Sequence, residues 1–531
     1  MRRRHGAAIE PARQDIDAAL AAMGPDELRE TLRELMLELD DRAHSRVVSA
    51  IINRAARGDS GWAPAALAEA EVAEVVGFAG AAMRVGSADP SDVDERLRRG
   101  TAAFLRKDYP AAHRIFGALL RPIAEAEIDL GQHEMLDEVL GVDANECAAQ
   151  YVLSTYMTSD PSRRAKAVRA ALDEMSGVGY FFQPLREMER AAVEPLPGLD
   201  EFLSQWRDIV AQEAAGGTRS EWDSKADRWL REVVQRMEGP GGLERLARST
   251  RRADDLRAWC ESLVSAGDWR ATLAAFEEAA DLVAGRDYAR GEFLDGAALA
   301  AQEAGRKDLS PWLERAWRGA PTLLRLRRWL GSARSRRAMR NRVAEAIAAC
   351  PRAAHRQRAF LHVLEGESES AAKLLAAAPG LGWSSGEHPG HLLFPLCSAL
   401  LGGSGLAQSI ALPEPGMDID DMELLTPEHP ASRLATPEIG DILRLAGIER
   451  IADDRARRVM LAAMRRAAGK RIAGVIEQKR RRHYGHAASL VATCVACDRS
   501  AGTVRWAAGL REQHRRYPAL RAELDRYLAS P

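Results

Sequence analysis

Apolar residues recur at helical spacing along most of this chain. Pro25 suits the first turn of a helix, and one face of the stretch that follows carries Leu28, Leu32, Leu35 and Leu39. Such an amphipathic helix needs a partner for its apolar face. The alternation of Val, Ile, Thr and aromatic residues with polar ones that would predict strands is almost absent. The pattern therefore predicts an all-α protein, with roughly two-thirds or more of its residues in helices.

Small and aromatic residues recur in an order that predicts stacked helical hairpins. Gly267-Asp268-Trp269, followed by Phe276 and Ala279, is typical of a tetratricopeptide-like hairpin, in which small residues allow close helix packing. The same order returns in Gly100, Phe104, Asp108-Tyr109, Ala112 and Phe116. Weaker repeats cover residues 304–321 and 366–379. We therefore expect a helical-hairpin solenoid, with Trp269 and Phe276 buried between consecutive helices.

Glycine and proline mark the expected domain limits. The glycine pair at 216–217 suggests a boundary near residue 215, and a glycine-rich run at 402–405 precedes several prolines in an acidic stretch. We predict an N-terminal helical domain with a hairpin at 1–212, central repeats at 219–405, a linker at 406–437 and C-terminal helical hairpins at 438–531. Residues 177–197, rich in proline and aromatic residues, are expected to form an irregular insert.

The last sixty or so residues resemble a known family. The stretch Val475-Ile476-Glu477-Gln478-Lys479-Arg480-Arg481-Arg482-His483-Tyr484-Gly485-His486 and the later run from Leu510 to Leu520 form two basic helical segments around a turn of Tyr and small residues. This pattern resembles the C-terminal helical-repeat region of bacterial SWIM-type zinc finger proteins. The Cys-x-Cys and Cys-x-His zinc ligands of that family are absent from this sequence. The resemblance therefore implies a helical scaffold and assigns zinc to no residue.

Composition and charge limit where in the cell this protein is expected and which classes of partner it is expected to bind. The chain has 531 residues, of which 46% are hydrophobic and 29% charged, as in an ordinary soluble protein. Its 75 basic and 77 acidic residues nearly cancel, so any attraction to nucleic acid must be local. Six sparse cysteines suggest reduced thiols. No apolar run has the length of a spanning helix, so we expect a cytoplasmic protein without membrane contact.

Arginines cluster around Trp329 and form the strongest binding signal in the sequence. The predicted partner-binding residues are Arg325, Arg328, Trp329, Arg334, Arg336, Arg337 and Arg340. Arg327 and Arg342 extend this cluster, and residues 479–482 form a second one. Arginine and aromatic side chains serve as anchors in protein interfaces, and arginines in a stripe can also follow a phosphate backbone.

Cys494 and Cys497, with His483 and His486 upstream, have the residue types of a zinc site. A single helix through 483–497 would separate the two pairs by roughly 16 Å, too far for one ion. We therefore expect both thiols to pack on an apolar face without metal.

Other candidates for chemistry are weaker. His133, Glu134, Asp137, Glu138, Asp143 and Glu146 could hold a metal or form an acid–base pair, or they could be a solvated face. His388 with Pro389 and Gly390 is expected to cap a helix. The Gly-x-Ser-x-Gly pattern at 382–386 lacks the preceding strand of a nucleophile elbow.

No convergent catalytic set emerges, so the favoured function is a non-catalytic helical-repeat scaffold or adaptor that binds another protein. We expect no cofactor and no metal. Two alternatives stay open. One is a nucleic-acid-associated adaptor that uses the arginine-rich hairpin, and the other is a metal-dependent enzyme centred on His133, Asp137 and Asp143.

Overall fold

A computed structural model describes residues 13–58, 60–131, 136–216, 223–383, 388–402, 434–448, 451 and 453–529. Helices account for 76% of these residues, and no strand occurs among them. The predicted all-α helical-hairpin solenoid is confirmed. Within the described ranges, no helix is long and apolar enough to cross a lipid bilayer.

The chain divides into two compact units, Met1–Gly242 and Leu243–Pro531. The helices of the first unit are α1 (Arg13–Ala22), α2 (Pro25–Leu37), α3 (Asp41–Arg57), α4 (Glu69–Val85), α5 (Pro90–Leu105), α6 (Tyr109–Ala124), α7 (Ala144–Thr158), α8 (Arg164–Glu174), α9 (Pro184–Ala191), α10 (Leu199–Gly216) and most of α11 (Lys225–Thr250). A short 3₁₀ turn covers Leu136–Glu138. The first unit has its own core, which runs from Val72 to Val233.

The helices of the second unit are α12 (Ala253–Ser265), α13 (Trp269–Leu282), α14 (Asp287–Glu303), α15 (Ser310–Gly319), α16 (Leu323–Gly331), α17 (Arg336–Ala349), α18 (His355–Glu365), α19 (Ser368–Ala377), α20 (Pro389–Gly402), α21 (Ile439–Ala446), α22 (Asp454–Glu477), α23 (Tyr484–Cys497), α24 (Ala501–Gln513) and α25 (Pro518–Ala529). A 3₁₀ turn at Arg481–His483 precedes α23. The central and the C-terminal helices of this unit share one hydrophobic core, which extends from Ala298 to Leu524.

Helix α11 is interrupted where the two units join. Gly239 has φ 61° and ψ −153°, and Pro240 follows it. That conformation is accessible almost only to glycine, and proline cannot donate a helical hydrogen bond. The sequence Gly239-Pro240-Gly241-Gly242 thus places a sharp break in the helix at the limit of the first unit. The domain limits proposed from the sequence stay predictions.

The hairpin pattern read from the sequence corresponds to close helix packing. A Cβ placed on Gly100 of α5 would lie 2.8 Å from the Phe116 ring of α6, so the absence of a side chain permits the approach. In the second unit, the buried Phe276 of α13 packs in the same way on Gly296 of α14. The expected burial of Phe276 is confirmed. The expectation for Trp269 was wrong, because this first residue of α13 is only half-buried.

The structure describes the insert predicted from the sequence but not most of the predicted linker. Residues 177–197 contain the short helix α9, with irregular backbone on both sides. Phe181 is buried there, whereas Tyr180 and Phe182 are exposed. Residues 403–433, which include most of the predicted linker, lie outside the described residues.

Candidate functional site

The arginine-rich hairpin is divided between the core and the surface. Arg325, Arg328 and Trp329 of α16 are buried, with at most 4% of each exposed. Arg325 donates to Asp295 of α14 through Nε at 2.7 Å, and Arg328 lies 3.5 Å from the same carboxylate. Their assignment as surface anchors was therefore wrong. These arginines neutralise a buried aspartate instead.

The same helix holds the chain segment that precedes α21. Arg327 donates from Nη2 to the carbonyl oxygen of Pro437 at 2.9 Å, and Arg328 donates from Nε to Thr436 Oγ1 at 2.8 Å. Trp329 stacks on Trp317, with 5.1 Å between the ring centres. All three contacts are internal. From the sequence alone these arginines looked like a surface patch, because charged residues are usually exposed. They are buried only where a partner neutralises them, and the sequence does not show that partner.

Four predicted site residues do lie on the surface. Arg334, Arg336, Arg337 and Arg340 are exposed at the start of α17, which Ser335 caps by accepting from the Ala338 amide at 3.1 Å. The positive end of the helix dipole lies here, so cations at this end destabilise the helix. Local helix stability therefore does not explain these arginines. Arg334 donates to the Lys307 carbonyl oxygen, whereas Arg336, Arg337 and Arg340 remain available to a partner.

The described residues leave most of the apolar face of the amphipathic helix predicted after Pro25 exposed. None of the residues of α2 is buried, and Leu35 and Leu37 are 59% and 82% exposed. Leu32 and Leu39 are exposed as well, and so are Ile16 and Leu20 of the preceding helix α1. Soluble proteins seldom leave contiguous apolar residues in water unless they bind something.

Helix α2 is also acidic around its leucines. Between residues 25 and 38 it carries five carboxylates and two arginines. Arg29 pairs with Asp26, and Glu27 accepts from the Gly24 amide at 2.8 Å. Glu34 and Glu38 are exposed beside the leucines. The face therefore combines an apolar centre with a negative border.

The described members of the His and carboxylate cluster predicted at residues 133–146 do not come together as a metal site. His133 and Glu134 lie outside the described residues. Asp143 caps α7 by accepting from the Glu146 amide at 2.9 Å. Glu146 is buried between Arg57 and Arg190, and the two guanidinium groups hold its pKa below the usual range although burial alone would raise it. This carboxylate ties α3 to α7 and α9.

A cleft of about 760 Å³ lies beside this ion pair, lined by Arg46, Asn53, Arg54 and other residues of α3 and α7. Asn53 donates to Ser49 and accepts from Gln150, with distances of 3.0 and 3.1 Å. The polar groups of the wall thus bind mainly one another, which favours a structural role for them.

The cysteine pair lies at the end of one helix, as expected. Cys494 is buried in the second core, and burial raises the pKa of its thiol. Cys497 is partly buried, and its Sγ lies 3.3 Å from Ser398 Oγ of α20. Both thiols are free. Cys494 therefore packs in the core as a small apolar side chain.

His388 caps a helix, as the sequence predicts. Its Nδ1 accepts from the Gly390 amide at 3.1 Å, so its Nε2 carries the proton and donates to the Pro379 carbonyl at 3.0 Å. Both ring nitrogens are therefore engaged. The serine of the Gly-x-Ser-x-Gly pattern, Ser384, lies outside the described residues.

One group of possible ligands was missed at the sequence level. His362, Glu365 and Glu367 bring their ligand atoms within 4.8 Å of one another at the end of α18. Both carboxylates are exposed, and acidic groups often approach one another at a surface without a metal. Their spacing across a helix end, His-x-x-Glu-x-Glu, is the signal that could have found them.

Comparison of the chain with protein-family models, curated proteins and solved structures found no match. The geometry of the chain's own surfaces is therefore the basis for assigning a function.

Proposed function

We propose that the protein is a non-catalytic helical-repeat scaffold that binds another protein through the exposed leucine face of α2. The observation that carries the proposal is that none of the residues of this amphipathic helix is buried. Burying a leucine of this face would contribute up to about 1.5–3 kcal/mol. Several such residues on one helical face can therefore support a specific interface.

The spacing of the leucines supports an amphipathic helix as the kind of partner. Leu28, Leu32 and Leu35 of α2 are separated by four and three residues, and Leu39 follows the end of the helix. This alternation is the seam of a two-helix coiled coil, in which each apolar side chain inserts between residues of a facing helix. An amphipathic helix of another protein is the occupant that fits.

Charge complementarity narrows the partner further. The border of the face carries the exposed Glu34 and Glu38, and the helix as a whole has more acidic than basic residues. A partner helix with lysines or arginines flanking its apolar positions would match it, since such pairs set partner choice and orientation in coiled coils.

The test replaces exposed leucines and leaves the core intact. The Leu32→Asp/Leu35→Asp variant should fold normally, because substitutions at exposed positions usually change the free energy of unfolding by less than about 0.5 kcal/mol. Cross-linking in native extract, followed by mass spectrometry, should identify a partner peptide joined to α2. Purified partner should then bind the parent chain and lose at least about tenfold in affinity for the variant.

Val85→Asp is the matched control, since Val85 is a 76% exposed apolar residue at the end of α4 in the same unit. Equal loss in the control would show non-specific apolar capture and refute the proposal, as would undiminished binding to the leucine variant. Light scattering of the purified chain covers one further outcome. If the parent chain is a dimer and the leucine variant is a monomer, then the leucine face of α2 binds a second copy of this chain. That result would refute binding of a different protein at this face.

The exposed arginines at the start of α17 support a second candidate, an adaptor associated with nucleic acid. Arg334, Arg336, Arg337 and Arg340 could follow a phosphate backbone. Binding of a single-stranded oligonucleotide that weakens steeply with salt, and that is lost when these four are neutralised, would support this candidate. Salt-independent binding would exclude it.

A further inference from the structure

Positive charge is concentrated at the turn between α22 and α23 of the second unit. Lys479, Arg480, Arg481 and Arg482 are all exposed on this turn. Within the described part of the chain, none of the four forms an ion pair with a carboxylate. Some exposed arginines of this unit are paired, as Arg511 is with Asp525 at 2.6 Å. The turn therefore carries charge that the described residues leave uncompensated.

A buried arginine lies close to this turn. Arg471 of α22 is 5% exposed, and its Nη1 donates to the Gly380 carbonyl at 3.2 Å. Its Nε is buried and has no hydrogen-bond acceptor. No described carboxylate pairs with it, although a buried charge normally requires one. Arg325 is equally buried but binds Asp295, so Arg471 differs from it in having no described carboxylate beside it.

The buried arginine, the exposed turn and two histidines belong to one electrostatic neighbourhood. Burial, reinforced by Arg471, Arg482 and Arg480, lowers the pKa of His483. Partial desolvation of its ring, reinforced by Arg471, lowers the pKa of His486 to about 4, although the residue as a whole is exposed. Desolvation is the largest cause of both pKa shifts, and repulsion from the neighbouring arginines adds to it. An anion placed among them would relieve this repulsion.

A second buried donor adjoins the same histidine. The ring of Trp383 meets that of His486 edge-on, with 5.2 Å between the ring centres. Its Nε1 is buried and has no acceptor among the residues that the structure describes. A buried N–H group without an acceptor costs about 1–3 kcal/mol. Two such donors therefore lie in a region of positive charge.

Helix geometry explains only part of this arrangement. Lys479 and Arg480 follow the C-terminus of α22, where the helix dipole favours cations. Arg482 and His483 instead precede the N-terminus of α23, where the dipole disfavours cations and attracts anions. His483 occupies the cap position without a side-chain cap bond. The dipoles therefore do not account for the second half of the turn or for Arg471.

We propose that Arg471, Arg480, Arg482, His483 and His486 form a binding site for a phosphate group. Its source is either a small phosphorylated molecule or the backbone of a nucleic acid. Phosphate supplies the charge that this cluster lacks and several acceptor oxygens for arginine donors. The site lies in the second unit and does not depend on the leucine face of α2.

Isothermal titration calorimetry with the full chain tests the site, using pyrophosphate in one arm and a single-stranded oligonucleotide in the other, at constant ionic strength. The site variant is Arg480→Gln/Arg482→Gln. The matched control is Arg270→Gln/Arg306→Gln, which removes the same charge from exposed arginines of the same unit that belong to neither proposed binding surface. The parent should bind at least one ligand with saturation, and the site variant should bind it at least about tenfold more weakly. The control should bind like the parent.

The two arms distinguish the sources. Saturable pyrophosphate binding that the site variant loses assigns a small phosphorylated ligand. Oligonucleotide binding alone, lost in the same variant, assigns the nucleic-acid backbone. The site is refuted if neither ligand binds, or if the site variant and the control lose equal affinity, because the effect would then come from net charge.

Discussion

The contact between Phe276 and Gly296 allows a sharp test of how the hairpins pack. A Cβ added at Gly296 would lie 2.5 and 2.6 Å from Cδ1 and Cζ of the Phe276 ring. Carbon atoms normally pack at about 3.5–4.0 Å, so the ring or the helix would have to move by roughly 1 Å. Forcing an extra methyl group into a packed core costs about 1–3 kcal/mol.

The helix itself favours the opposite outcome. Replacing glycine by alanine inside a helix stabilises by about 1 kcal/mol. In the parent chain, Gly296→Ala should therefore lower the free energy of unfolding by about 0–2 kcal/mol, since the strain outweighs the helical gain. Phe276→Ala alone should cost about 3–5 kcal/mol, because it removes a buried aromatic ring. In that background, Gly296→Ala should become stabilising, because its methyl group enters the space that the ring has left.

Urea unfolding followed by circular dichroism, on the four members of this double-mutant cycle, should give a coupling energy of about 1–3 kcal/mol. Gly469→Ala in α22 is the matched control. A Cβ at Gly469 meets no atom within 4 Å, so this change should stabilise by about 1 kcal/mol in either background. If Gly296→Ala stabilised the parent as much as the Phe276→Ala variant, the proposed contact would not exist.

Three further predictions concern charged groups. Asp295→Asn should lower the free energy of unfolding by about 3–5 kcal/mol in urea titrations, because it leaves Arg325 and Arg328 buried without their anion. An effect below about 1 kcal/mol would show that water reaches this pair. Burial raises the pKa of Glu232 to about 7, although the carboxylate accepts from the Leu185 and Arg186 amides. The folded state therefore holds this proton more tightly than the unfolded chain, so the stabilising contribution is complete below about pH 4.5 and is lost as the pH rises through about 7. Glu232→Gln should flatten that loss in urea titrations at pH 5 and pH 8, and an unchanged slope would contradict the assignment. Finally, neutralising Arg334, Arg336 and Arg337 together should weaken the salt-sensitive binding of an oligonucleotide while the melting temperature stays unchanged, and retained binding would exclude this surface as a nucleic-acid interface.

The helical architecture could be predicted because the signal is local. Leucine spacing in α2 and the sequence of small and aromatic residues around Phe276 depend only on neighbours within one or two helices. Trp269 was misjudged because it is the first residue of its helix, where a side chain can lie at the edge of the hairpin. The hairpin pattern predicts an aromatic residue at this position. It does not show whether the next helix extends far enough to cover that residue.

The candidate sites were less predictable because their outcome depends on distant residues. Arg325 and Arg336 look alike in sequence, yet only Arg325 faces an aspartate thirty residues earlier in the chain. The burial of Arg471 also depends on contacts far along the chain, since the carbonyl that it meets belongs to Gly380. Charge clusters can be counted from sequence, but which charges are neutralised requires the fold.

The helix break at Gly239 and Pro240 has a consequence for how stability should be measured. Because the first and second units each contain a hydrophobic core, the chain need not melt as one cooperative block. We expect calorimetry to resolve two unfolding transitions, one for each unit. A single melting temperature would then be an average of the melting temperatures of the two units. Glu232 would report on the first transition, and Phe276 on the second. A ligand would then raise only the transition of the unit that holds its site.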